Sequence, residues 1–179
     1  MSNTSSVSIT TRLLRPIVAT NLLGLRLDAR ATSLETGHVT RMGSSLRHRL
    51  GGVRFDLDLA RGTVVPPAGF QDDGADWSGR RLNLQVLRPS AGQLPEIVDN
   101  YEVVVPTTDS RPRPGRGARS RPALITVDSF VDAGSGDWVI LRISDPAQPA
   151  PGIAAGTSYA GLGKAIAYAS PFYLDTAAV

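Results

Sequence analysis

The chain contains no cysteine, only two histidines (His38 and His48), two tryptophans and a single lysine, Lys164, among nineteen basic residues. The missing cysteines exclude disulfides, thiolate chemistry and cysteine-ligated metals, but leave the compartment open. No run approaches the roughly 20 apolar residues of a membrane-spanning helix. The opening residues, Met1 to Ser8, are small and polar, without the basic start and apolar stretch of a signal peptide. The expectation is therefore a protein outside the membrane, in the cytoplasm or a virion.

At 179 residues the chain reads as one domain, 7–175, between a flexible polar tail at 1–6 and a short tail at 176–179. A domain of this size buries roughly 70% of the surface its unfolded chain exposes, so it needs no disulfide or structural metal. Eighteen arginines against one lysine agree with GC-rich coding. They also offer planar forks that hold carboxylates or phosphates in bidentate fashion.

The charge is unevenly placed. Arg111, Arg113, Arg116, Arg119 and Arg121 lie in the acid-free stretch Ser110–Pro122, with three prolines and two glycines, whereas the whole chain has a net charge of only +3. The remainder is thus slightly acidic. Proline and glycine oppose both helix and central strand, so this stretch reads as the body of a mobile loop over 107–122. It is a candidate contact for nucleic-acid phosphates or an acidic protein surface. With no aromatic interleaved for base stacking, a solvated linker is the simpler reading.

Alternation with period two dominates the rest. In Val53–Leu59 the residues Val53, Phe55, Leu57 and Leu59 take one face, and Arg54, Asp56 and Asp58 the other. Leu23, Leu25 and Leu27 repeat the pattern. Further strands are expected at Val7–Leu14, His38–Met42, Leu82–Leu87, Tyr101–Val105, Ala123–Phe130, Trp138–Ile143, Ala165–Tyr168 and Phe172–Leu174. Trp138–Ile143 is apolar on both faces and reads as central. The glycines of Asp132–Asp137 suggest a hairpin joining Ala123–Phe130 to Trp138–Ile143. Ala29–Glu35 and Gly43–Leu50 are candidate helical turns without an apolar stripe. Leu94, Ile97, Val98 and Tyr101 are expected to cover one end of the core.

Short strands with Gly/Pro-rich connections predict an all-β protein: an antiparallel β-sandwich, with the jelly roll as one type and a β-barrel as the alternative. Long loops are expected at Pro66–Gly79 and Pro146–Gly163.

The candidate sites are few. Asp72, Asp73 and Asp76 beside Trp77 form an acidic turn that could offer oxygen ligands to calcium. The spacing is not that of an EF-hand, and a polar loop pairing with Arg80 or Arg81 is simpler. Trp77 is a candidate exposed stacking residue, whereas Trp138 reads as packing. His48 lies between Arg47 and Arg49, close to Ser44 and Ser45, with no nucleophile elbow. Gly161–Lys164 fails as a phosphate loop, because Ser158 and Ala165 stand where glycine and Ser/Thr are required. Asp56 and Asp58 share a solvent face and read as charges that guard a strand edge.

The expectation is a non-catalytic structural or interaction protein without cofactor or metal. It would self-assemble or dock on a larger assembly, as a virus or phage capsid, decoration or tail component does. The alternatives are a carbohydrate- or other ligand-binding accessory domain that uses Trp77, Tyr159 and the acidic turn, and nucleic-acid binding through the arginine-rich loop.

Overall fold

A computed structural model describes residues 19–20, 25–61, 79–90, 94–105, 123–150 and 152–176. They form eleven strands: β1 (Ala19–Thr20), β2 (Leu25–Ser33), β3 (Val39–Arg41), β4 (Ser45–Arg47), β5 (Leu50–Arg61), β6 (Arg81–Arg88), β7 (Glu96–Val104), β8 (Ala123–Asp132), β9 (Trp138–Asp145), β10 (Lys164–Tyr168) and β11 (Phe172–Asp175). Among the described residues the helical structure is one 3-10 turn, Ala133–Ser135. No helix there is long and apolar enough to cross a membrane.

The strands make two open sheets. The smaller runs β3-β2-β5-β8 and is wholly antiparallel. In the larger, β9 is central. It pairs on one side with β6, which carries β7 at the edge. On its other side β9 pairs with β10 along one half and with β11 at its start. Ala169–Pro171 separates those two strands, and the amide of Ala169 still bonds to the carbonyl of Leu141 at 2.9 Å. β1 pairs with β10, and β4 pairs with β11 in parallel, a departure from the purely antiparallel expectation.

One apolar core gathers the inward faces of both sheets. The alternation read in β5 holds: Val53, Phe55, Leu57 and Leu59 are buried. From the larger sheet come Leu82, Leu84, Val86, Leu141, Ile143 and Phe172. The rings of Phe55 and Phe172, one from each sheet, meet at 5.6 Å and 52°. Each fully buried Leu or Phe contributes about 1.5–3 kcal/mol of transfer free energy, so this shared core holds the two sheets together.

Several expectations are corrected. The segment Asp132–Asp137 is not a hairpin, because β8 belongs to the smaller sheet and β9 to the larger. It is a crossover, capped by the Asp132 carboxylate accepting from the Gly134 amide at 2.8 Å. Neither glycine adopts the left-handed region: Gly136 is extended, with φ 163°. Gly136 is required for closeness instead, since a Cβ there would lie 2.5 Å from Pro89 Cγ. Ala29–Glu35 and Gly43–Leu50 are not helical: β2 occupies most of the first and β4 part of the second. The patterning failed there because both strands are short of bulky side chains. β7 begins at Glu96 rather than Tyr101. Asp56 and Asp58 guard no edge, since β5 is flanked by β2 and β8; Asp56 accepts from the Thr126 hydroxyl at 2.7 Å. Val98 and Tyr101 pack against the core as expected, but Leu94 is exposed. The expected strand Val7–Leu14 lies outside the described residues.

Candidate functional site

The two long edge strands, β7 and β8, lie beside one another with no ladder between them. Side chains close the seam instead. The Tyr101 hydroxyl donates to the Asp128 carbonyl at 2.6 Å, and the Ser129 hydroxyl donates to the Asp99 carboxylate. Burial, together with the nearby Asp99 carboxylate, pushes the Tyr101 phenol above its ordinary pKa.

At one end the seam opens into a groove of about 270 Å³, lined by Val98, Phe130, Trp138 and Leu174, with Arg88 and Glu96 also in its wall. Those two charges pair at 2.7 Å. The groove meets an apolar patch on the outer face of the smaller sheet. Register sets Gly52 opposite Phe130 and Leu50 opposite Asp132. Leu34 lies over Gly52, where an added Cβ would come within 2.9 Å of its Cδ1. Phe130, Leu34 and Leu50 are 62%, 50% and 49% exposed. Three large apolar side chains thus surround a residue that has none.

The outer face of the larger sheet is different. Arg142, Ser144, Gln85 and Asn83 alternate with core residues and point away from the core. Residues 146–150 and 152–163 cross over them as a strap. Arg142 is only 2% exposed. It donates to Gln85 Oε1 at 2.7 Å, to the Gly163 carbonyl at 3.2 Å and to the Tyr168 hydroxyl at 3.3 Å. The Tyr159 ring lies 5.3 Å from its guanidinium carbon. Ser144 and Asn83 both donate to the Leu162 carbonyl, at 2.7 and 3.3 Å. Tyr159 donates to the Pro95 carbonyl at 2.5 Å, pinning the strap beside the start of β7. Burial raises the Tyr159 phenol pKa, and the Arg142 charge opposes that rise.

His48 is fully buried, while Arg47 and Arg49 on either side of it are exposed. Its Nε2–H donates to the Val131 carbonyl at 2.8 Å, and its Nδ1 lies 3.0 Å from Ser33 Oγ. Ser33 Oγ also accepts from the Thr36 amide, at 3.2 Å. Glu35 stands 4.0 Å from the same Nδ1. A catalytic triad needs serine and acid on opposite ring nitrogens at an accessible surface. Here both are on one nitrogen of a sealed ring, so the group ties β2, β8 and the residue after β4 together. The serine is Ser33, not Ser44 or Ser45, which are exposed.

Of the candidate residues named from the sequence, Asp72, Asp73, Asp76, Trp77 and the arginines at 111, 113, 116, 119 and 121 lie outside the described residues. Arg80 approaches Asp145 at 3.6 Å, and Arg81 pairs with Glu102 at 2.7 Å. Among the described residues no three His, Asp or Glu side chains gather as metal ligands. Tyr159 is committed to Arg142 and Pro95. Gly161 and Gly163 have positive φ, 75° and 78°, in the turn that leads into β10. The sequence reading missed Arg142, Ser33 and the patch. Arg142 sits inside an apolar run, and that was its only signal. No protein-family model matches the chain, and no curated protein or solved structure is significantly similar to it.

Proposed function

We propose that this is a non-catalytic structural or interaction protein whose two sheets form a β-sandwich of the jelly-roll type, and that it associates with copies of itself. The observation that carries the reading is the exposed cluster of Leu34, Leu50 and Phe130 beside the groove at the β7–β8 seam. Contiguous exposed apolar surface with a polar rim is characteristic of interaction sites.

Two features favour a second copy as the occupant. Phe130 projects beside a groove large enough to receive apolar side chains, so knob and hole lie on one patch. A two-fold contact requires such self-complementarity. The rim also carries both signs of charge, Arg88 with Glu96, and so does not repel itself.

The long edges β7 and β8 are occupied by each other's side chains, and β1, β3 and β4 have two or three residues each. Strand addition is therefore disfavoured relative to side-chain docking. A capsid, decoration or tail component of a virus or phage is the instance we favour, by fold-level analogy. Light scattering coupled to size exclusion, at low and high salt, tests the reading. A defined oligomer that persists in salt supports it, and a monomer at both salts refutes it.

A further inference from the structure

We propose that the strap, through its residues 159–163, covers a binding site for a small organic monocarboxylate, with Arg142 as the group that receives the carboxylate. The site lies on the outer face of the larger sheet, opposite the apolar patch, and is independent of self-association.

The first argument is charge. Arg142 is buried, yet among the described residues its partners are all neutral: Gln85, Tyr168, the Gly163 carbonyl and the Tyr159 ring. A buried ion held only by neutral groups recovers part of its lost hydration, and an acid would recover more. The guanidinium fork matches a carboxylate in bidentate geometry.

The second argument is geometric. Ser144 and Asn83 donate to the Leu162 carbonyl, and Arg142 Nη2 donates to the Gly163 carbonyl. Three donors fixed on the sheet thus converge on two successive oxygens of the strap. A carboxylate offers two oxygens in the same way, so the strap backbone holds the place such a ligand would take.

The third is an adjoining cleft of about 350 Å³, walled by Pro149, Ala150, Ile153 and Ala155. That is the size of a small-molecule site. Tyr159 and Gly163 belong both to this cleft and to the surroundings of Arg142, so the cleft adjoins the guanidinium. The apolar wall suits a compact hydrocarbon body. The single cation suits one negative charge, since Lys164, the next residue along, is exposed.

The outer part of the strap is the part with little to hold it, whereas Tyr159, Leu162 and Gly163 are the contacts that must release for a ligand to enter. Gly152, Gly156, Gly161 and Gly163 have positive φ, and the residues from Gly152 to Ser158 are exposed. A stretch with so little buried surface opens more readily than the sheet beneath it, so the hydrogen bonds of Tyr159, Leu162 and Gly163 set the cost of opening.

The test is titration of isotopically labelled protein with benzoate, and with neutral benzamide at matched ionic strength, followed by NMR. The expected result is saturable shifts at Tyr159, Gly161, Gly163 and the Arg142 side-chain N–H with benzoate and none with benzamide. Arg142→Gln should abolish them. Tyr159→Ala, which removes the latch on Pro95, should tighten binding roughly tenfold by populating the open strap. Should Arg142→Gln fail to fold, Tyr159→Ala and benzamide still decide. The proposal is overturned by absence of saturation in both wild type and Tyr159→Ala at ~10 mM, well above a millimolar Kd. Equal response to benzamide, or shifts confined to other surfaces, would overturn it as well.

Discussion

Tyr101 on β7 donates its phenolic hydrogen to the main-chain carbonyl of Asp128 on β8, and so joins strands that are, among the described residues, the edges of the two sheets. With Ser129 and Asp99 beside it, this contact occupies the two longest edge strands among the described residues. Unpaired edges are templates for aggregation. Here their protection comes from inward-facing polar side chains at the margin of the core.

Tyr101→Phe should lower stability by about 1 kcal/mol, the net worth of one hydrogen bond whose acceptor can partly turn to water. Urea unfolding followed by tryptophan fluorescence measures it. An unchanged midpoint would mean that the seam is held by packing alone.

Ser33→Ala removes the hydroxyl beside His48 Nδ1 in a site closed to solvent. The expected loss is roughly 1–3 kcal/mol, the cost of leaving a buried polar atom unsatisfied. Chemical denaturation of Ser33→Ala and Ser33→Thr separates the hydroxyl from the volume. Thr should retain more of the stability if the hydrogen bond matters.

Acid should weaken the fold through two carboxylates. The Leu50 and Arg49 amides hold the Glu35 pKa below its ordinary value, and the Arg54 guanidinium does the same for Asp128. A group with a depressed native pKa stabilises fully above its unfolded pKa and ceases to do so as pH falls through the native one. Stability should therefore be flat near neutrality and decline from the ordinary carboxylate range downward. Glu35→Gln with Asp128→Asn should make that decline shallower. Thermal melts between neutral and strongly acidic pH decide; identical slopes in variant and wild type would contradict the assignment.

Two neighbouring glycines should respond differently to alanine. At Gly163 φ is 78° and an added Cβ would collide with the Asp145 main-chain carbonyl, whereas at Gly161 φ is 75° and the Cβ meets nothing. Gly161→Ala should cost only left-handed strain, about 1–2 kcal/mol. Gly163→Ala should cost roughly 3 kcal/mol or more, because the strap must shift off the sheet. Equal losses in paired urea titrations would show that the strap adapts freely.

Strand identity was legible where bulky side chains alternate, as in Val53–Leu59 and Leu82–Leu87. It was hidden where the inward residues are small: Ala29, Ala31 and Ser33 face the core of β2 without an apolar signature. The Asp132–Asp137 connection shows a second limit. Glycines mark a change of direction but do not say whether the next strand joins the same sheet. Site residues were harder still. Arg142 is buried on the outer face because the strap covers it, and Leu34 meets Gly52 only through the pairing of β2 with β5. Both depend on long-range register, which local pattern does not encode.

The most direct test of self-association through the patch is sedimentation equilibrium of wild type, Phe130→Ser and Val104→Ser. Val104 is a comparably exposed apolar residue, 53% accessible, on β7 away from the groove. The account predicts a defined oligomer for wild type and Val104→Ser, and a shift toward monomer of at least about tenfold in Kd, roughly 1.4 kcal/mol, for Phe130→Ser. A monomeric wild type, or an oligomer that Phe130→Ser leaves intact, would contradict it.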